Sequence, residues 1–566
     1  MGKWSLEKST IKLMAQNKGV ITIQKPYLGW IPTLAGAADN FIPQESQTGI
    51  TSQSLIMYPP PEFQDYTTAK EVMINRPGYE GHIAPGPGYN YVTDSNNYVN
   101  GLALNGGVGI DGNTYCLLDS NKYVFFGSQN ASPSISVNNY GVPAGAVGIH
   151  SGHTTFTTTV GDLCVVPTSQ AIDHSGVFMS WSDNTDGDIA FAVGNVVTKN
   201  WLTTAAGHNQ STPLTNGVPH PLLFGLDNFL YCGDGQTLRG FLPTDGSAGS
   251  DKSLDLKTGW VVQALATYQN YIAILAFRTN SSGGTGVLNF DPTQLSPTKM
   301  YLWDGFSTSW NFEYDVQDNF ASNILNDGNN LWVITYGRNN TTKLKQFNGQ
   351  GFDTLWESAL TGGYPGGTTL PNPCYGGMGL WLNHVIWSDN SDSYINAYGS
   401  PNLNYPSGFH RIFGANTTRG IGMVKNFWEN VLYFGINSSG GGPSYSIGYT
   451  DFTQYLGLNF VSSLYPLPTN SAITYVKLYP SLWQSSASQM RVGIFADRTA
   501  WNVGGSTDLL QWTVTAATNC YYIANSKTID NINSFYLAMD WVGSNTSNSP
   551  IIRKIEVGYS WDDDNI

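Results

Sequence analysis

Several short strands in this chain are apolar on both faces, and that limits the possible folds more than any other feature of the sequence. In Leu331–Tyr336 (LWVITY) one face carries Leu331, Val333 and Thr335 and the other Trp332, Ile334 and Tyr336, so neither side suits water. The same holds at 271–277 (YIAILAF), 431–434 (VLYF) and 123–126 (YVFF). A strand of a two-layer sandwich alternates apolar and polar residues, whereas a near-continuous apolar run is covered on both sides. In an all-β chain, radially stacked blades supply that double cover.

The strands recur between clusters of Asn, Asp, Gly and Ser that read as turns. Seven apolar strands anchored at Tyr115, Phe178, Tyr231, Ile274, Trp332, Ile386 and Leu432 have a mean separation of about 53 residues, which suits propeller blades of about 40–50 residues carrying loop insertions. Only 12% of the 566 residues are charged, 13% are aromatic, and there are 63 Gly and 28 Pro. That composition excludes coiled coil, long helical arrays and disorder. Each apolar arm is followed by a weaker alternating strand, such as 343–347 (KLKQF) or Tyr445, Ile447 and Tyr449 with serines between. These are expected at the wet outer edge of a blade, where charge and Ser discourage edge pairing.

After about Leu458 the strand candidates crowd together and alternate cleanly, at 473–478, 490–495, 509–514, 520–523, 534–541 and 551–559. Six strands in that length suggest a β-sandwich. The expected organisation is therefore a basic N-terminal arm over 1–25, a β-propeller of about seven blades over 26–457, and a C-terminal β-sandwich over 458–566. The Pro- and Gly-rich segment before Tyr115 has one convincing strand, at 20–24. It is expected to wrap the propeller or to supply the strand that closes its ring.

The net charge of −14 disfavours non-specific binding to nucleic acid or an anionic membrane. Lys3, Lys8, Lys12, Lys18 and Lys25 against Glu7 give the arm a local +4, leaving −18 for the rest. The arm could dock on an acidic partner, although a short basic terminus is more simply solvated. Cys116, Cys164, Cys232, Cys374 and Cys520 are odd in number and lack CxxC spacing, so they read as small core residues. Neither a membrane span nor an apolar signal region is expected, since Lys12, Gln16, Asn17 and Lys18 interrupt the N-terminal stretch.

No residue is assigned a catalytic, cofactor-binding or metal-binding role. His150 and His153, with Asp162, could be offered as metal ligands, but positions i and i+3 of a strand face opposite ways unless Gly152 turns the chain. The isolated His384 reads as a strand-edge residue. Asp183, Asp186 and Asp188 (DNTDGD) and Asp389 and Asp392 (DNSD) lack EF-hand spacing and read as turn residues, and Asp562, Asp563 and Asp564 as a solvated tail. Trp303-Asp304-Gly305 with Trp310 is the nearest text to a sialidase Asp box, but lacks its leading Ser and spacing, and reads as a blade turn. Sugar platforms are a possible use for Trp181, Trp332, Trp387 and Trp428, which burial in apolar strands explains without a ligand. Sequons such as Asn280 and Asn437 carry no weight without a secretory signal.

Three stretches, PYLGWIPTLAGAADNFIPQES near the start, DGNNLWVITYGRNNTTKLKQFNG in mid-chain and RKIEVGYSW at the end, give a texture that resembles the β-propeller structural proteins of tailed-bacteriophage virions, the tail-nozzle or tail-hub class. The resemblance implies a non-enzymatic virion component made in the host cytoplasm, without cofactor, assembled as a homo-oligomeric ring on portal, adaptor or other tail proteins. DNA would pass through an acidic channel without sequence-specific binding. A clear insertion to build the tube is lacking, which leaves fibre, baseplate and decorating positions open. A propeller hydrolase acting on polysaccharide and a carbohydrate-binding adhesin are the alternatives.

Overall fold

In this computed structural model the described residues are 16–23, 66–70, 72–73 and 83–91 near the N-terminus, then the strands from 114 to 562 with part of their connections, most continuously over 218–246, 248–278, 298–318, 320–336 and 342–357. Six consecutive units are four-stranded antiparallel meanders, at 114–156, 159–198, 222–255, 260–315, 320–357 and 378–414, here blades 1 to 6. Blade 7 takes Arg419–Ile421, Val431–Ser438 and Tyr445–Tyr455 from its own stretch, and its fourth strand is Pro87–Tyr91 from the N-terminal segment. All seven sequence anchors fall in separate blades, six of them in the second strand and Tyr115 in the first. The first strands of blades 1 to 6 touch in succession, and Val431–Ser438 of blade 7 returns to Thr114–Leu118 of blade 1. The architecture is a β-propeller.

Double coverage of the second strands is met as the sequence requires. Leu331 and Val333 pack with Ala264, Leu275 and Met300 of blade 4, while Trp332 and Ile334 pack with Met378, Val385 and Trp387 of blade 6. In blade 4, Ile274 and Ala276 join Tyr231 and Leu238 of blade 3, and Ala273 and Leu275 face blade 5. Gly233 marks how close blades 3 and 4 come, since a Cβ there would lie 2.7 Å from Val262 Cγ1.

The third strands differ from expectation. The KLKQF stretch lies in Thr342–Phe347, between Leu331–Tyr336 and Phe352–Glu357, so it is not an outer edge. Lys345 is buried there, its Nζ 2.6 Å from Asp318 Oδ2 and donating to Val316 O at 2.7 Å. Asp318 also meets Lys343 Nζ at 3.1 Å and accepts from Thr335 Oγ1 at 2.7 Å. Charge at this position marked a buried ion pair at the blade 4–5 junction, tolerated because its partners are all present. Tyr445–Tyr455 is likewise internal, covered by Pro87–Tyr91.

Beyond blade 7 the β-sandwich expected from the sequence takes the form of one curled sheet. The candidates at 520–523 and 534–541 belong to a single strand of 21 residues, Tyr521–Trp541. The polar run between them resembled a loop, yet its backbone stays paired with Tyr465–Leu482 through register shifts, with Ser471 opposite Ile532 and Ile473 opposite Ile529. Bulged pairing lets both long strands bend from one half of the sheet into the other. The sheet also recruits N-terminal strands. Gln16–Ile23 pairs along Ile551–Asp562, so this part of the basic arm is a strand rather than a solvated tail. Tyr66–Lys70 pairs with Asn459–Ser462 and touches Arg411 of blade 6. N-terminal strands thus pair on both sides of residue 457.

The Trp381–His384 hairpin turns through Leu382 and Asn383, both at positive φ (48° and 64°), the geometry of a two-residue type I′ turn. His384, expected at a strand edge, opens His384–Ser388 fully buried, with Nδ1 2.9 Å from Leu382 O. Burial lowers its pKa to about 4, the Leu382 carbonyl opposing only in part. The unfolded chain takes up this proton near pH 6.5 and the native chain near 4, so stability is complete above about 6.5 and falls as pH drops through that window. The loss reaches about 3 kcal/mol. Urea midpoints between pH 7.5 and 4.5 should show this decline, with a shallower slope for His384→Gln.

Candidate functional site

A cleft of about 180 Å³ opens where blades 3 and 4 meet. Three turns build it: Gly225–Asn228 between the first two strands of blade 3, Thr267–Tyr271 between the first two of blade 4, and Asp304–Phe306 between the last two of blade 4. In a four-stranded meander the first and third turns lie on the same face, so all three turns emerge together. Leu226 (69% exposed) and Phe306 (61%) stand at its mouth, and Phe312 (47%) lies against Tyr271 of the lining, ring centroids 5.7 Å apart. These are the large apolar side chains left exposed among the described residues.

Beneath the mouth, Lys252 of Ala248–Asp255 is buried and held from every side. Its Nζ lies 2.8 Å from Asp227 Oδ2, donates to Gly305 O at 3.0 Å, and sits 3.4 Å from the Phe306 ring centroid. Tyr231 Oη donates to the same Asp227 oxygen at 2.7 Å. The ammonium thus joins a blade 3 turn to a blade 4 turn and holds the inner face of Phe306 by a cation–π contact, leaving the outer face to solvent.

Asp304 sets the turn that presents Phe306. Its Oδ1 accepts from the backbone N–H of Phe306 (2.9 Å) and Ser307 (2.8 Å), and its Oδ2 from Ser307 Oγ (2.7 Å) and Asn311 Nδ2 (3.0 Å). Burial alone would raise this carboxyl, but the Ser307, Phe306 and Asn311 hydrogen bonds outweigh it and hold Asp304 well below the usual range. Gly305 takes φ +80°, which suits a residue without a side chain. The WDG text is a blade turn, as the sequence suggests. Chemically, the cleft offers an apolar rim over two acids, Asp227 and Asp304, with the amide of Asn270 and the hydroxyls of Thr267 and Tyr271 in its wall.

The other candidates are dispersed. Asp162 is buried in blade 2, where Oδ2 accepts the Leu222 N–H at 3.0 Å, and Asp188 accepts from Ile189 and Leu202 N–H. Both carboxylates therefore serve the backbone. His150 and His153 lie in Gly148–Phe156 of blade 1, where the register slips between Asn138–His153 and Tyr140–Ile149; their side chains, and Asp183, Asp186, Asp389 and Asp392, lie outside the described residues. No group of three or more His, Cys, Asp or Glu among the described residues could hold a metal. Trp332 and Trp387 are core residues of blades 5 and 6, and the side chains of Trp181 and Trp428 lie outside the described residues. Cys232 is buried and free, its thiol pushed up by burial and by the nearby Asp234 carboxylate. Sequence reasoning missed Leu226, Lys252 and Phe306. The available signal was an apolar residue at the tip of two turns, GLDN and DGFS, where polar residues are the rule.

No family model matches the chain, and no curated protein matches it. Among solved structures it is similar to propellers. The computationally designed Ika8 protein aligns with TM-score 0.31 at 12% identity over 62% of this chain and 98% of that one. The Dos1 propeller aligns with TM-score 0.34 at 11% identity over 60% and 93%, and BBS1N, from its complex with ARL6DN, with 0.36 at 9% over 62% and 94%.

Lys252→Met keeps the aliphatic stem but strips Asp227 and the Gly305 carbonyl of their cation. Because Asp227 is partly solvated, the expected loss is about 2 kcal/mol rather than the 3–5 of a fully buried pair. Phe306→Ser should change stability by less than about 1 kcal/mol. Chemical denaturation of the two variants beside the parent chain checks both.

Proposed function

We propose that this chain is a non-enzymatic structural component of a phage-like virion, a tail nozzle or hub protein that assembles as a homo-oligomeric ring with portal, adaptor or other tail proteins. The observation that supports a scaffold is the course of the N-terminal segment. One stretch of chain places Gln16–Ile23 on the C-terminal sheet, Tyr66–Lys70 between that sheet and blade 6, and Pro87–Tyr91 on the edge of blade 7. Separate strands from one stretch of chain, paired with three bodies, tie the positions of those bodies to backbone pairing at each strand. The buried Lys345–Asp318 pair at the junction of blades 4 and 5, and the Lys252 ammonium donating from blade 3 to Gly305 O of blade 4, stiffen those junctions in the same sense. Rigid bodies of this kind suit closed symmetric assemblies, in which every copy repeats the same contacts. The virion assignment itself rests on the resemblance of PYLGWIPTLAGAADNFIPQES, the degenerate blades and the RKIEVGYSW ending.

Light scattering on the purified chain, with negative-stain imaging of particles from its source, tests this reading. A ring in solution, or a monomer that becomes a ring on a particle, is expected. A stable monomer found on no particle would contradict it and turn attention to polysaccharide hydrolysis or glycan binding.

A further inference from the structure

We propose that the cleft between blades 3 and 4 is a docking site for the basic N-terminal segment, residues 1–15, of a second copy of this chain. The inference rests on the ring-scaffold reading for the presence of a neighbour, but its site is argued from the cleft itself.

Of the exposed large apolar side chains among the described residues, Leu226 and Phe306 line the mouth and Phe312 lies against Tyr271 of its wall, and such a patch marks a contact surface. The cleft's size sets what enters. A cavity of about 150 Å³ holds a benzene ring, so about 180 Å³ takes one large apolar side chain. Charge narrows the choice further, because both charged residues of the lining are acids. Asp227 is neutralised from below by Lys252, whereas Asp304 is held ionised at the rim. The complement is an apolar anchor flanked by cations. The segment preceding Gln16–Ile23 has that composition: Trp4 stands between Lys3 and Lys8, Leu6 follows it, and Glu7 is its sole acid.

The neighbour's segment is the occupant that the ring-scaffold reading supplies, and its reach allows it. The segment leaves the C-terminal sheet at Gln16, opposite Asp562, and that sheet joins the ring at blade 6. The cleft lies two and a half blades further round. Fifteen residues reach about 50 Å when fully extended, enough to bridge adjacent bodies in a ring.

The test is titration of a labelled peptide of residues 1–15 onto the full chain and onto a chain lacking residues 2–15, which removes competition from the resident segment while leaving Gln16–Ile23 in place. Saturable binding is expected, weakened at least tenfold by Phe306→Ser or Leu226→Ser in the protein or Trp4→Ala in the peptide, and weakened by salt. Phe306→Ser and Trp4→Ala together should lose little more than either alone. No binding, or binding indifferent to both cleft variants, would overturn the proposal. So would binding abolished by neutralising Asp562, Asp563 and Asp564, since the acidic tail would then be the partner. Peptide binding without a ring on any particle would remove the scaffold reading and keep the docking site, and a ring without peptide binding would do the reverse.

Discussion

The structure depends on covering strands that are apolar on both faces. Leu331–Tyr336 illustrates the constraint: Val333 and Ile334 are adjacent in the chain, point to opposite sides, and are both fully buried. Each fully buried aliphatic or aromatic side chain contributes about 1.5–3 kcal/mol relative to exposure, so a face left to water would forfeit several such terms in one strand. A blade can satisfy one face with the blade before it and the other with the blade after it. That requirement passes from blade to blade and ends only when the last meets the first, as Val431–Ser438 meets Thr114–Leu118.

Stacking covers faces but not edges. In blades 1 to 6 the fourth strand comes from the same meander, whereas in blade 7 it is borrowed from residues 87–91. Closure by a strand distant in sequence joins the beginning of the propeller stretch to its end, so the ring is held by backbone pairing as well as by packing. The same N-terminal segment sews the C-terminal sheet to blade 6, which makes it a structural element of every part it crosses.

Much of this was legible in the sequence. LWVITY and YIAILAF announce two covered faces, and the seven anchors found seven blades because apolar second strands recur once per blade. What misled was polarity read as exposure. Lys345 looks like an edge residue, but an aspartate at Asp318, far enough along the chain to be invisible to any local pattern, makes burial tolerable. The polar stretch within Tyr521–Trp541 looks like a loop, yet backbone pairing across bulges does not require apolar side chains. The cleft was least legible of all: Lys252, Phe306 and Asp227 are brought together by the meeting of two blades, and only the apolar turn tips hinted at it.

Hydrogen exchange on a Tyr89→Pro/Asn90→Pro double variant tests the closure most directly. Alternate N–H groups of an antiparallel strand point at the partner, so two consecutive prolines remove at least one ladder donor facing Tyr445–Tyr455. Amides of Tyr445–Tyr455 should then exchange at least tenfold faster than in the parent chain, while those of Leu331–Tyr336 keep their protection. Unchanged protection across Tyr445–Tyr455 would mean that residues 87–91 do not seal the seventh blade, and ring closure by the N-terminal segment would be wrong.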